Sequence, residues 1–226
     1  MTRKAPRRTA ERIAQTSLAL FNRFGEPNVS TTLISAELSI SPGNLYYHFP
    51  SKDVLVNHLY DDFEGQMLQL LDAAGDVGDI EDAWFFLHSL FERVWNHRFL
   101  YRDLNHLLSG NRHLETRFAP LLARQTLALR MMLLALGSAG LVRIDPDSTE
   151  TLSASMSVLV TYWLSHAYVR DPRHALEPES ASRTMSEGAR HVLTLLTPYL
   201  ATLALQDHLH AITRAYTADQ AEASRP

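Results

Sequence analysis

The chain of 226 residues contains no cysteine, which excludes disulfides, thiolate metal ligands and a cysteine nucleophile. Glycine is scarce, at nine residues, and they form no phosphate loop, dinucleotide-binding pattern or serine-hydrolase elbow. The zinc motif HExxH is absent, and no Glu-x-x-His pair of the kind di-iron bundles use is present. The DHLH at 207–210 offers a metal only weak ligation. No long apolar run occurs: LALRMMLLAL (127–136) is too short to cross a bilayer and contains Arg130. The basic start MTRKAPRRTAERIAQ is not followed by the apolar core of a signal peptide. Nor does any segment alternate like a β-strand for a useful length. These absences leave an all-α, non-enzymatic, cofactor-free chain, without membrane association and with a cytoplasmic location, as the expectation.

What is present begins with charge. The net charge of −4 is unevenly spread. Residues 1–55 carry Arg3, Lys4, Arg7, Arg8, Arg12, Arg23 and Lys52 against Glu11, Glu26, Glu37 and Asp53, a balance of +3, so the remainder holds −7. A basic end on an acidic body suits a polyanionic partner.

Apolar residues recur at helical spacing through most of the chain. Ile13, Ser17, Leu20, Phe21 and Phe24 line one face of a first helix, and Gly25 stands where a helix C-terminus favours a left-handed residue. Ser30, Ser41 and Ser51 each stand where an N-cap belongs. Val29 with Ile34, and Ile40 with Leu45, occupy the positions of hydrophobic staples. Short helices over 31–38 and 42–49 and a long one over 52–72 follow from this grammar. Beyond the loop GDVGD (75–79), helices are expected near 80–96, 99–109, 113–137, 147–170 and 180–204, with kinks or restarts at Pro120 and Pro198. After Asp207 the periodicity fades, and a disordered tail over 207–226 is expected.

The stretch SISPGNLYYHFPSKDVL (39–55) points most directly to function. At 100° per residue Leu45 and Phe49 share an inward face, while Gly43, Asn44 and Tyr47 point the opposite way, flanked by Tyr46 and His48. Two short helices joined by a tight link form a helix-turn-helix, and the second carries an amide, two phenols and an imidazole outward. Asn and His can meet base edges, tyrosine hydroxyls can reach phosphates, and Gly43 permits close backbone approach. Lys52, in the first turn of the next helix, could clamp a phosphate.

The block FNRFGEPNVSTTLISAELSISPGNLYYHFPSKDVL strongly resembles the TetR family of bacterial one-component regulators, over about residues 10–60. The resemblance implies an all-helical homodimer. Its N-terminal three-helix domain (1–51) would bind a palindromic operator in double-stranded DNA. Its larger C-terminal domain (52–206), joined through the helix 52–72, would dimerise and bind a small molecule that releases the DNA. By position, Ser30, Thr31 and Thr32 would open the second helix on phosphate or bases. Asn44, Tyr46, Tyr47 and His48 would form the recognition surface, and Lys52 would hold phosphate. Two residues depart from the family pattern. Ser39 occupies a turn position often held by glycine. Thr32 replaces a frequent base-reading arginine and lacks its bidentate fork.

GEPNVST, SPGNLYYHF and AWFFLHSLFERVWNHRFLYRDLNHLL are more loosely similar to the regulators of polyhydroxyalkanoate genes, which implies a fatty-acyl-derived effector. The body is aromatic-rich, with polar groups interleaved. Phe86, His88, Trp95, Arg102, His106, Tyr162, Trp163 and His166 are candidates to line a pocket for a hydrophobic or amphipathic effector. The helices 147–170 and 180–204 are apolar on more than one face. They suggest a four-helix dimer interface involving Ser153, Ser157, Thr161, Val192 and Leu196. An activator of the same fold, or a helical module that binds ligand or protein without DNA, remains an alternative at this level.

Overall fold

The computed structural model describes the backbone of residues 5–223 and the side chains of residues 8–215. Arg3 and Lys4 of the basic arm lie outside the described residues, as does the side chain of Arg7. The described chain is built from eleven α-helices. In the N-terminal unit, α1 is Ala5–Phe24, α2 is Thr31–Glu37 and α3 is Pro42–His48. Helix α4, Lys52–Leu71, leads into the body. The body continues with α5 (Ile80–Asn96), α6 (Arg98–Arg102), α7 (Leu104–Gly110), α8 (Arg112–Ser138), α9 (Pro146–Arg170), α10 (Ala181–Thr194) and α11 (Leu203–Ala223). The only β pairing among the described residues is an isolated antiparallel bridge between Val142 and Leu200.

The serine caps form as their positions dictate. The hydroxyls of Ser30, Ser41 and Ser51 accept from the backbone N–H of Leu33, Asn44 and Val54. The staple residues Val29, Ile34 and Leu45 are buried, and Ile40 packs against the same core. Gly25 is left-handed at φ 83° and ends α1. Phe24, expected on the inner face, is instead exposed at the end of α1, with the Arg23 guanidinium 5.0 Å from its ring centre.

Three boundaries differ from the periodic reading. The helix expected over 99–109 is two short helices, with Asp103 between them. Pro120 does not interrupt α8; it lies on an exposed turn, and the helix runs through it. The helix expected over 180–204 ends at Thr194, and Pro198 sits in a 3-10 turn from which α11 restarts. The segment expected to be a disordered tail is helical as far as Ala223, because Leu209 and Ile212 bury against the body. Residues 224–226 lie outside the described residues.

One apolar core joins both units, from Ile13 and Phe21 in α1 through Phe63 and Met67 in α4 to Leu209 in α11. Helix α8 is long and apolar enough by composition to cross a membrane. Here one of its faces packs into the core, with Leu114, Phe118, Leu129 and Leu136 buried. A line of polar contacts fastens it to α4. Asn111 donates to the Asn57 side chain at 2.8 Å, the His113 ring meets Asp61 at 2.7 Å, Arg117 pairs with Glu64, and Arg124 reaches Asp72 at 2.6 Å. Tyr60, whose hydroxyl donates to Glu64, has its pKa pushed up, first by burial and then by that carboxylate.

Helices α5, α9 and α10 meet at Gly188. A Cβ there would lie 2.7 Å from the Phe91 ring and 2.8 Å from that of Trp163, closer than van der Waals contact allows. Gly188→Ala is therefore expected to destabilise the protein by about 1–3 kcal/mol, the usual cost of overpacking a core. Thermal unfolding measures this, and an unchanged melting temperature would contradict the close packing.

His97, in the bend between α5 and α6, is buried, and its ring lies 5.2 Å from that of Phe63. Burial holds its pKa below the ordinary value of 6.5. The folded state thus refuses a proton that the unfolded chain accepts. The corresponding stability is present above about pH 6.5 and is lost as pH falls below it. In His97→Phe the decline of stability between about pH 6.5 and pH 5 should be shallower, as chemical unfolding at each pH would show.

Candidate nucleic-acid interface

Helices α2 and α3 are joined by a turn that closes on itself. The Ser39 N–H donates to Ala36 O at 3.0 Å, and Ile40 N–H donates to Ser35 O at 3.0 Å. That closure places Ser39 at φ 54°, the left-handed region. A non-glycine residue there costs about 1 kcal/mol, which the packed turn tolerates. The two helices are also locked by their side chains, since the Thr31 hydroxyl and the Tyr46 phenol lie 2.9 Å apart.

The outward surface of α3 is the one its spacing predicts. Leu45 and Phe49 are buried, whereas Gly43, Asn44, Tyr46 and Tyr47 are exposed. Tyr47 is 76% exposed, close to the maximum among the large apolar and aromatic side chains. The ring of His48 stands edge-on to it at 5.1 Å, half-buried. Ser30 and Thr32 are exposed at the start of α2, and Ser30 lines a shallow recess with Thr31 and Tyr46. The structure therefore brings Ser30, Thr31, Thr32, Gly43, Asn44, Tyr46, Tyr47 and His48 to one side of the N-terminal unit. The arrangement offers an amide and hydroxyls on exposed side chains and a half-buried imidazole, groups that can meet base edges and phosphates.

Lys52 lines the same recess. Its ammonium donates to the Glu26 carbonyl at 2.6 Å and pairs with the Glu26 carboxylate at 2.8 Å. The side chain holds the loop after α1, because the buried Glu26 carboxylate requires a cation nearby.

This loop is where the N-terminal unit meets the body. Asn22 of α1 donates to Asn96 O at 2.8 Å and accepts from Phe99 N–H at 3.1 Å, bridging the bend between α5 and α6. Glu26 N–H donates to the Asp103 carboxylate at 3.2 Å. Burial raises the pKa of Asp103, with the Arg102 guanidinium opposing that rise. Arg102 in turn lies 5.1 Å from the Tyr168 ring centre. The sequence reading missed Asn22, although a polar residue beside the inward Phe21 was its signal. It had no local signal for Asp103.

The eight candidate effector residues are not gathered in one place. Phe86 and Trp95 are core residues of α5, and His88 lies against Trp84, 3.9 Å from Glu92. Arg102 belongs to the junction just described, His106 is exposed on α7, and Tyr162 is exposed on α9. Only Trp163 and His166 come together, at a recess of about 190 Å³ between α9 and α10. The five candidate dimer residues are likewise buried within the single chain. Ser157 and Thr161 accept from Gln125 of α8 at 2.9 and 3.4 Å, and Val192 and Leu196 lie in the core. Their small or apolar side chains serve contacts inside one protomer, so a partner would have to use the outer faces of these helices.

The placement of Lys52 has a direct consequence. Lys52→Met should lower stability by about 1–2 kcal/mol through loss of a charge-assisted contact and an unpaired Glu26. A Lys52 that only held phosphate would leave stability untouched and reduce the salt dependence of DNA binding by about one unit of slope. Chemical unfolding of the mutant separates the two.

The comparisons with known proteins agree with this geometry. The family model described as bacterial regulatory proteins of the tetR family matches residues 13–59. A second model, TetR, described as a bacterial transcriptional repressor, matches residues 62–207. No curated protein matches significantly. Among solved structures, a TetR-family transcriptional regulator from Marinobacter aquaeolei is 31% identical. The match covers 92% of this chain and 98% of that one, with a TM-score of 0.78. A protein from Saccharomonospora viridis solved in complex with choline shares the fold at 17% identity and a TM-score of 0.65, over 85% and 97% of the two chains. SmeT, the repressor of a Stenotrophomonas maltophilia multidrug efflux pump, does so at 14% identity and a TM-score of 0.58, over 87% and 92%. With one family model covering the N-terminal unit, another spanning most of the body, and a similar structure at 31% identity along nearly the whole chain, this protein belongs to the TetR family of transcriptional regulators.

Proposed function

We propose that the protein is a ligand-responsive repressor that binds a palindromic operator as a homodimer and leaves it when a small amphipathic molecule binds. The observation that carries the reading is the exposed face of α3. Asn44, Tyr46 and Tyr47 stand on a rigid helix-turn-helix with no core to bury them. Such a helix would lie in the major groove, with Asn44 and His48 at base edges and the two phenols on phosphate or thymine methyl groups. Ser30 and Thr32 would meet the adjacent backbone. Thr31 and Lys52 would act indirectly, by fixing Tyr46 and the loop after α1.

Dimerisation is supported by apolar side chains without cover in the single chain. Leu127, Met131 and Leu134 form an exposed stripe on α8, and Val158 and Tyr162 continue it on the neighbouring α9. To engage successive half-sites, an isologous pairing of these faces would have to present two α3 helices about 34–36 Å apart, one turn of DNA, or somewhat further. The effector reading is supported by neighbours of the same fold that were solved with choline or with triclosan. A fatty-acyl-derived effector belongs to the same reading. The contacts from α4 to α8, and from α1 to α5 and α6, would convert a ligand-induced shift of the body into a change of α3 spacing.

The test is selection of bound sequences from random duplex DNA at fixed salt, with Tyr47→Ala in parallel. A palindromic consensus is expected for the wild type, with at least a tenfold loss of affinity in the mutant. Equal, unselective recovery by both proteins would overturn the reading.

A further inference from the structure

A cleft of about 630 Å³ lies between α1 and the connection from α9 to α10. Leu18, Ala19 and Asn22 of α1 form one side, and Arg98, Leu176 and Glu177 form the other. Arg23 and Glu179 also reach it. The state of Arg98 is unusual. Its guanidinium is half-buried and stacked over the Trp95 ring at 4.7 Å. Its Nε–H donates to Leu176 O at 3.1 Å, and Nη1 donates to Trp95 O at 3.2 Å. Both partners are neutral carbonyls, and no carboxylate among the described residues pairs with it. Of the five N–H groups of an arginine, three are left without an acceptor among the described residues. Burial lowers the pKa of Arg98, with Glu177 nearby acting the other way.

A half-buried guanidinium held by two carbonyls and an aromatic face can receive a carboxylate, which it can bind with two parallel hydrogen bonds. The walls beside it are apolar at Leu18, Ala19 and Leu176. From this juxtaposition we infer that the cleft binds a small amphipathic organic carboxylate, its head on Arg98 and its tail between α1 and the α9–α10 connection. The position gives occupancy a direct effect on the N-terminal unit. Asn22 lines the cleft and is also the side chain that bridges the bend between α5 and α6. A tail seated against Leu18 and Ala19 presses on α1 at its attachment to the body. This inference deepens the proposed function: ligand binding at the cleft stands without DNA, whereas its regulatory meaning rests on the operator reading.

The test uses the full-length protein, with octanoate as probe and octanol as the uncharged control. Binding is followed by calorimetry and by the tryptophan fluorescence to which Trp95, beneath Arg98, contributes. Octanoate is expected to bind at least tenfold more tightly than octanol. Arg98→Gln should remove that preference, and Ala19→Trp, which fills the cleft from exposed α1, should weaken octanoate at least tenfold. Glu177→Gln, which removes the nearest competing carboxylate, should tighten it severalfold. Absence of octanoate binding, equal binding of octanol, or octanoate affinity unchanged by Ala19→Trp would overturn the inference. Operator affinity is measured separately with and without octanoate. Carboxylate binding with no selected operator would leave the site standing and count against the DNA reading alone. Octanoate that binds as expected but leaves a selected operator fully bound would overturn only the regulatory link.

Discussion

The bridge made by Asn22 governs the relation between the two units. The bend between α5 and α6 leaves a carbonyl at Asn96 and an N–H at Phe99 at helix ends, where intrahelical partners run out. The Asn22 amide satisfies both from α1. Because each buried polar group left unpaired costs about 1–3 kcal/mol, the angle and register of α1 on the body are narrowly set. The left-handed Gly25 then turns the chain so that Glu26 N–H reaches Asp103, and Lys52 closes the loop through the Glu26 carbonyl and carboxylate. The helix-turn-helix is thus mounted on the body through a short chain of specific polar contacts, backed by the shared apolar core.

A second line of contacts runs along α4 and α8. The pairs from Asn57–Asn111 to Asp72–Arg124 extend over most of α4, and the Glu64 of the Arg117–Glu64 pair also engages Tyr60. Exposed ion pairs add little stability individually. Their spacing along two helices instead fixes how one sits on the other. A change in α8 or in α6 would consequently be felt at both attachments of the N-terminal unit. The inferred carboxylate cleft is placed at one of these attachments, which distinguishes it from a cavity deep in the body.

Much of the fold was legible because its signals are local. A serine hydroxyl at the start of a helix caps it from within its own first turn, and all three caps form between residues three apart. The inward Leu45 and Phe49, and the outward Asn44 and Tyr47, follow from helical geometry alone. The pocket and dimer residues were less legible. Ser157 and Thr161 have the small size that permits close approach, but size does not say which helix approaches. Here it is α8 of the same chain, with Gln125 as the partner. The fading pattern after Asp207 was misleading for a related reason: Leu209, Ile212 and Thr213 are buried on one narrow stripe, by which the helix meets the body.

The sequence by itself determined the helical class, the capped starts, the left-handed Gly25 and the outward chemistry of α3, since each depends on residues within about one or two turns of one another. Only the tertiary structure decided that Lys52 meets Glu26, that Asn22 bridges α5 and α6, and that Arg98 stands half-buried on two carbonyls with no carboxylate hydrogen-bonded to it among the described residues. Those outcomes join residues separated by 26 and more than 70 positions along the chain. Which polar group satisfies which is settled by packing, because burial makes an unpaired group costly and leaves few neighbours able to answer it.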